Sequence, residues 1–399
     1  MRHFPRTTLA RDTADAMQGK SLFGDAANGL FLAAPRRTGK STFLQRDLAP
    51  ELDSRSIAVV YVDLWADQKR DPASLIAEAI GKVINLHLGW IAKAAKATRL
   101  ENITVAGVLK MDTSRIGKPD GATLTEALHT LGEVSGKPVA LIIDEAQHAL
   151  TSESGETAMT ALKSARDTLN GPDQVQLMLV MSGSDRDKLL RLVNTNGAAF
   201  YGSTVQKMPE LGMDFIDFVV TLIERSNPRL APVNSSKLLE AFRLFGARPQ
   251  FFSDAMASAL NPLSSAEGRF EDQLLRAGGQ RQIEDEAQME SEFMALRPIE
   301  QVVLWRLLEL QSRFRPYDAE ALKFYRDKLL VVGQSSARVT AQIAQAAVDA
   351  IRQRTPALVW KSARGEYSVD DAMMHSWYAK RVAAGTWPPN GFEADEFQT

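Results

Sequence analysis

The chain has 399 residues, 45% hydrophobic and 24% charged. That is an ordinary globular composition, which excludes global disorder and gives room for about two to three domains with cores of their own. Its 47 Lys and Arg against 49 Asp and Glu leave a formal charge of -2, and it has no cysteine. A general nucleic-acid stickiness, disulfides, cysteine nucleophiles, thiolate zinc sites and iron–sulfur clusters are therefore excluded.

In chain order, a weakly helical stretch covers Thr8–Met17. Gly29-Leu-Phe-Leu-Ala-Ala34 then reads as a short buried strand, being an apolar run bounded by Gly and Pro. A turn, Pro35–Gly39, leads into a helix from Lys40 that should end before Pro50. Ile57–Leu64 reads as a second strand and Pro72–Leu88 as an amphipathic helix. Ile103–Lys110 reads as a small hairpin or exposed strand. Leu124–Val134 is helical, and Pro138–Asp144 and Gln174–Ser182 are further buried strands. Strands alternating with helices predict a parallel sheet with helices on both faces, over residues 1–210.

From there the pattern turns helical. Asp214–Arg225, Ser235–Phe245 and Pro249–Leu260 form a helical segment, 211–262. Residues 263–292 are polar and read as a linker with one charged helix. In 293–383, helices near Pro298–Gln311, Asp318–Leu329 and Thr340–Arg354 precede two extended segments, Ala357–Lys361 and Glu366–Val369. That is the order of a winged helix. Trp305, Trp360 and Trp377 read as its core, and 384–399 as a frayed tail. No apolar run approaches the ~18–20 residues of a membrane helix, and no apolar stretch follows the basic N-terminus, so a cytoplasmic protein is expected.

The strongest chemical signal is Ala34-Pro35-Arg36-Arg37-Thr38-Gly39-Lys40-Ser41-Thr42, between a strand and a helix. It fits the G-x-x-x-x-G-K-[ST] phosphate loop except that Ala34 stands at the first glycine. Backbone N–H groups and the helix N-terminus would surround the phosphates. Lys40 would bridge the outer two phosphates and Ser41 would hold Mg²⁺. A methyl at Ala34 is tolerated only if its φ is negative. A second signal is Val139–Asp144-Glu145, an apolar strand ending in two carboxylates. Asp144 would hold Mg²⁺ and Glu145 would orient or deprotonate an attacking water, a pairing that suits ATP hydrolysis. Gln147 and His148 follow directly; His148 reads as a packing residue before it reads as a base. The next strand ends in Ser182-Gly183-Ser184, whose hydroxyls can face a γ-phosphate. Arg248, in Gly246-Ala-Arg-Pro249, would project near a helix N-terminus.

These elements in this order resemble the AAA+ superfamily. Pro35-Arg-Arg-Thr-Gly-Lys-Ser, Asp144-Glu-Ala-Gln, Ser182-Gly-Ser and Gly246-Ala-Arg-Pro are closest to its archaeal-type AAA ATPases, a group related to origin-recognition initiators and STAND signalling NTPases. Glu366-Tyr-Ser-Val-Asp-Asp with Trp377-Tyr378 looks like the end of that group's winged helix. The resemblance implies an α/β fold: a three-layer αβα P-loop core, a helical lid and a C-terminal winged helix. It implies ATP and Mg²⁺, with Ser182 or Ser184 as a first nucleotide sensor and Arg248 as a second. The family often has arginine where Ser203 stands. Its absence puts assembly-activated hydrolysis in doubt or moves the role to Arg186 or Arg191.

The expected activity is an ATP-driven conformational switch. DNA is the first candidate partner, through Thr340–Arg354 with Gln334, Ser335, Ser336 and Gln342 as base readers and Lys361 and Arg364 in the wing. A protein partner is the second, for a slow, STAND-like signalling switch, and an ATP-dependent homo-oligomer fits either. A small-molecule P-loop kinase fits worse, because no substrate-binding insert is evident.

Overall fold

The computed structural model describes residues 3–20, 26–67, 69–98, 112–118, 120–171, 174–194, 198–261, 268–331, 339–362 and 365–389. The chain divides into two compact units, Arg2–Glu210 and Leu211–Thr399.

The first unit is built on five strands: β1 (Leu30–Ala33), β2 (Ala58–Asp63), β3 (Val139–Asp144), β4 (Leu177–Gly183) and β5 (Val205–Lys207). They lie in the order β2-β3-β4-β1-β5, every neighbouring pair parallel. β1, β3 and β4 are buried at every position, as continuous apolar strands covered on both faces must be. One face carries Leu30, Leu32, Ala140, Ile142, Met178 and Val180. It packs against Ala10, Ala14 and Met17 of α1 (Thr7–Met17) and against Phe43, Leu44, Leu48 and Leu52 from the helical segment after the phosphate loop.

That segment departs from expectation. It does not stop at Pro50 but runs through it: α2 (Lys40–Phe43), a π turn over Leu44–Leu48, and α3 (Ala49–Ser54). Proline cannot donate the regular backbone bond. The wider π turn changes the bonding register just ahead of Pro50, so the helix continues. The other face is covered by α4 (Pro72–Thr98), α5 (Leu124–Ser135) and α6 (Glu153–Leu169), with α7 (Arg186–Asn194) following β4. The sharp start of α5 is a capping box: Thr123 Oγ1 accepts the Glu126 N–H at 3.1 Å, and Glu126 Oε2 accepts the Thr123 N–H at 2.8 Å. α4 runs ten residues past its expected end at Leu88, since only the tolerated Gly89 interrupts the helix formers there. The expected hairpin Ile103–Lys110 lies outside the described residues.

The second unit comprises α8 (Met213–Ser226), α9 (Ser235–Leu244), α10 (Pro249–Ala259), α11 (Phe270–Met294), α12 (Pro298–Leu310), α13 (Ala319–Val331), α14 (Ala341–Gln353), the antiparallel pair β6 (Val359–Lys361) and β7 (Tyr367–Val369), and α15 (Ala372–Ala383). Phe242 joins α8, α9 and α10, its ring 5.1 Å from Phe215 and 5.2 Å from Phe252. The expected linker 263–292 is, over its described part, mostly the 25-residue α11. Its low amphipathicity hid its role: only a few positions (Phe270, Glu271, Leu274, Gly278, Met289, Phe293) are buried, at its two ends and near its middle. Gly278 lets α9 come close, for a Cβ there would lie 2.7 Å from that of Leu244.

A second aromatic core gathers around Phe293. Trp360 and Trp377 are buried and Trp305 packs against the cluster, as expected of them. The tail is not frayed from its start. The Trp387 ring lies 5.1 Å from Phe293 and 5.4 Å from Trp377, so the chain is anchored at least that far.

Candidate active site

The parallel order sets the site. β4 lies between β1, which feeds the phosphate loop, and β3, which ends in Asp144. The carboxyl ends of the three strands thus converge, the place where open α/β sheets bind ligands. Ala34 is buried, bonds its N–H to the Gly183 carbonyl at 3.1 Å and is absent from the described positive-φ residues, so its methyl is accommodated. The loop turns through left-handed backbone at Arg37 (φ 66°) and Gly39 (φ 94°), which helps aim N–H groups into an anion-binding concavity. Thr38 Oγ1 closes the loop on the Pro35 carbonyl at 2.7 Å. Pro35, Ser41 and Thr42 are exposed, as a ligand-facing loop requires.

Inside the loop the predicted residues meet. The Lys40 ammonium, 5% exposed, donates to Asp144 Oδ1, to Glu145 Oε1 at 2.7 Å and to Ser182 Oγ at 3.3 Å. Ser41 Oγ donates to Asp144 Oδ2 at 2.5 Å and Ser182 Oγ to Asp144 Oδ1. On its other oxygen Glu145 accepts Ser184 Oγ at 2.7 Å and Gln147 Nε2 at 2.6 Å. Glu145 is itself held at φ 54°, a left-handed conformation costing a non-glycine residue about 1–3 kcal/mol. These contacts hold it there. Burial works against ionising Asp144 and Glu145, but Lys40 and the hydroxyl donors outweigh it and hold both below the ordinary carboxylate range.

Two contributors escaped the sequence reading, and a third was named there without a role. Tyr61 donates to Asp144 Oδ2 at 3.0 Å, and its own ionisation is pushed up by burial and then by Asp144. Asp63 ends β2 in register with Asp144. Burial raises its pKa, opposed by the Trp65 N–H and reinforced by Asp144 and Glu145. The available signal was a Tyr and an Asp two apart at the end of an apolar strand. The third is Gln147, fully buried, with Oε1 lacking a hydrogen-bond partner. His148 lies on the following 3₁₀ turn against Trp65, ring centroids 4.6 Å apart, which is the packing role expected of it.

Gly183 permits this clamp, since a Cβ there would meet Gln147 Oε1 at 2.6 Å. Gly183→Ala is therefore expected to fold, because the displaced atom ends a flexible side chain, yet to pull Gln147 off Glu145. A melting temperature within about 2 °C of wild type is the expected reading in a thermal melt; a drop well beyond that would mean the Gln147 side chain cannot give way.

Arg248 belongs to the second unit, as the N-cap of α10, with its guanidinium 5.6 Å from the Phe251 ring. Ser203 donates its N–H to the Phe200 carbonyl at 3.1 Å in a turn, and Arg186 and Arg191 lie on α7. Thr340–Arg354, with Gln342, and Lys361 are described; Gln334, Ser335, Ser336 and Arg364 lie outside the described residues. No described helix is long and apolar enough to cross a membrane.

Residues 25–190 match a family model described as an AAA domain. Several solved structures align over most of their length at low identity. They include a Walker-type ATPase of Pyrococcus abyssi (15% identity, 92% of this chain and 95% of that one, TM-score 0.47). The ORC2 protein of Aeropyrum pernix in its ADP form is another (12%, 96% and 93%, 0.49), and so is the Aeropyrum pernix ORC1 protein in complex with DNA (13%, 96% and 94%, 0.38). No curated protein matches the sequence. Over residues 25–190 the chain is thus similar to an AAA domain, and the strand order and the loop-to-carboxylate geometry are those of a P-loop αβα core, followed in the chain by a helical C-terminal unit.

Proposed function

We propose that the chain binds ATP at the phosphate loop, hydrolyses it and uses the nucleotide state to switch its second unit. The observation that carries this is Lys40 held between Asp144 and Glu145, with Ser41 on the same aspartate. A triphosphate entering the loop competes with the two carboxylates for the Lys40 ammonium, which frees Glu145 to take a water. Water attacks the γ-phosphorus in line as the bond from phosphorus to the β,γ-bridging oxygen breaks, and ADP leaves with that electron pair. One water proton passes to Glu145 and then to solvent; the other stays on the phosphate. Ser184 positions Glu145, both seryl hydroxyls face the γ-phosphoryl oxygens, and Lys40 neutralises the charge that develops there.

The donor set fits Mg²⁺: a hydroxyl and a carboxylate oxygen, from Ser41 and Asp144, lie 2.5 Å apart, few protein ligands for an ion that keeps water and phosphate in its shell. When bound, Mg²⁺ supplies charge neutralisation on the outer phosphates. Arg248, at the start of α10, is the residue we assign to sensing the γ-phosphate for the second unit.

The output we assign first is DNA, through α14 and the β6–β7 wing, from their winged-helix order. One observation favours a protein partner instead. The first turns of α14 expose Ala341, Gln342, Ile343, Gln345 and Ala346 and no cation; of the two arginines at its end, Arg352 is paired with Asp349 at 2.9 Å and Arg354 is exposed. Turnover measured with and without duplex DNA separates the two. Stimulation that fades steeply between about 50 and 200 mM salt is the DNA result, since phosphate contacts release counterions. Turnover indifferent to DNA at every salt concentration removes DNA as the output and leaves the protein-coupled switch.

A further inference from the structure

Two cations, not one, flank the carboxylate that faces the reaction. Lys40 takes Glu145 Oε1. On the Oε2 side, Ser184 Oγ donates to Glu145 at 2.7 Å and itself accepts from Arg36 Nε at 3.5 Å. Arg36 is a residue of the phosphate loop itself, half-buried. Its guanidinium lies 4.4 Å over the Trp65 indole, and Trp65 rests against His148. Trp65 follows β2 and His148 follows β3, so the ends of two neighbouring strands build an aromatic shelf beside the site. The shape of the guanidinium suits such a place: its face stacks on an aromatic ring while its edge keeps N–H donors for oxygens. A lysine cannot do both.

We propose that Arg36 is the charge-stabilising arginine of ATP hydrolysis, acting in cis from the phosphate loop, with Trp65 and His148 as the shelf that holds it on the Oε2 side of Glu145. The inference rests on the ATPase reading. In the reaction Arg36 donates to the γ-phosphoryl oxygens as the bond to the bridging oxygen breaks; it takes and gives no proton. A site so equipped needs no arginine from a neighbouring copy, consistent with Ser203 standing where the family resemblance expects one.

The test uses the full chain, Arg36→Ala, Arg36→Lys and Trp65→Leu. The readouts are ADP affinity, single-turnover hydrolysis and capture of ADP–aluminium fluoride. Arg36→Ala is expected to bind ADP within about threefold of wild type while hydrolysis falls ~10³-fold, the lower end of an arginine finger's effect, and the fluoride complex fails to form. Arg36→Lys should stay slow, Trp65→Leu should lie between, and free guanidinium should restore part of the Arg36→Ala rate. Wild-type specific activity should not depend on protein concentration. A wild type that hydrolyses ATP with Arg36→Ala or Arg36→Lys hydrolysing as fast overturns the inference alone. A wild type that neither hydrolyses ATP nor captures the fluoride complex overturns the ATPase reading with it.

Discussion

Lys40→Ala is expected to lose nucleotide affinity and, in the ligand-free protein, to lose stability in a pH-dependent way. The affinity loss should be about 10–100-fold, since a charge-assisted contact contributes about 1.5–3 kcal/mol. The stability loss is less obvious. Lys40 and Asp144 are almost fully buried, and Glu145 nearly so. Removing one member of such a cluster leaves uncompensated carboxylates, a change that costs about 3–5 kcal/mol. With Lys40 present, Asp144 and Glu145 have native pKa values below their unfolded ones. Their contribution is therefore complete above the unfolded values of about 4 and fades as pH falls through the lower native values. Without Lys40 the leading influence is burial, which pushes both upward, and the sign reverses: the variant gains stability as pH falls and its carboxyls take up protons. The gap in melting temperature between wild type and variant should be wide at neutral pH and narrow steadily below about pH 5. A gap that is constant across that range would mean Lys40 is not what holds the two carboxylates ionised.

Glu145→Gln is expected to keep the fold and ATP and to stop turnover. The substitution preserves shape, and the left-handed backbone at position 145 is held by neighbours that remain. The new amide can still accept Lys40 at one end. At the other, it meets the Gln147 amide, whose Oε1 has no hydrogen-bond partner; turning that amide over offers an acceptor to the new N–H group. What is lost is the carboxylate that takes the water's proton. Removing a positioned base typically costs 10²–10⁴-fold, and steady-state hydrolysis is the measurement. Normal turnover in this variant would sink the role given to Glu145.

The site was more legible than the packing around it. The phosphate loop and the acidic strand end announce themselves because each residue type is demanded by the chemistry at a fixed spacing. The sheet order places Ser182 on Asp144 and Ser184 on Glu145, bonds that two seryl residues at the end of a strand do not announce; the sequence aims their hydroxyls only toward a phosphate. Tyr61 and Asp63 were missed because nothing local says that β2 runs in register beside β3. α11 is the charged helix expected within 263–292, but its sparse buried positions do not show in the sequence that α9 and the Phe293 aromatic cluster pack on it. Pro50 misled for a different reason: the rule that proline ends a helix fails where a π turn precedes it. Trp387 lies in a segment whose composition reads as a tail, and the core it joins comes from residues far upstream.

The most direct test of an ATP-hydrolysing site is the nucleotide each protein retains. Wild type and Glu145→Gln would be incubated with ATP and Mg²⁺, separated from free nucleotide by gel filtration, denatured and analysed for ATP and ADP. The account predicts ADP or no nucleotide with wild type and stoichiometric ATP with Glu145→Gln. Intact ATP on both would contradict hydrolysis at this site, and no nucleotide on either would contradict tight ATP binding at the loop.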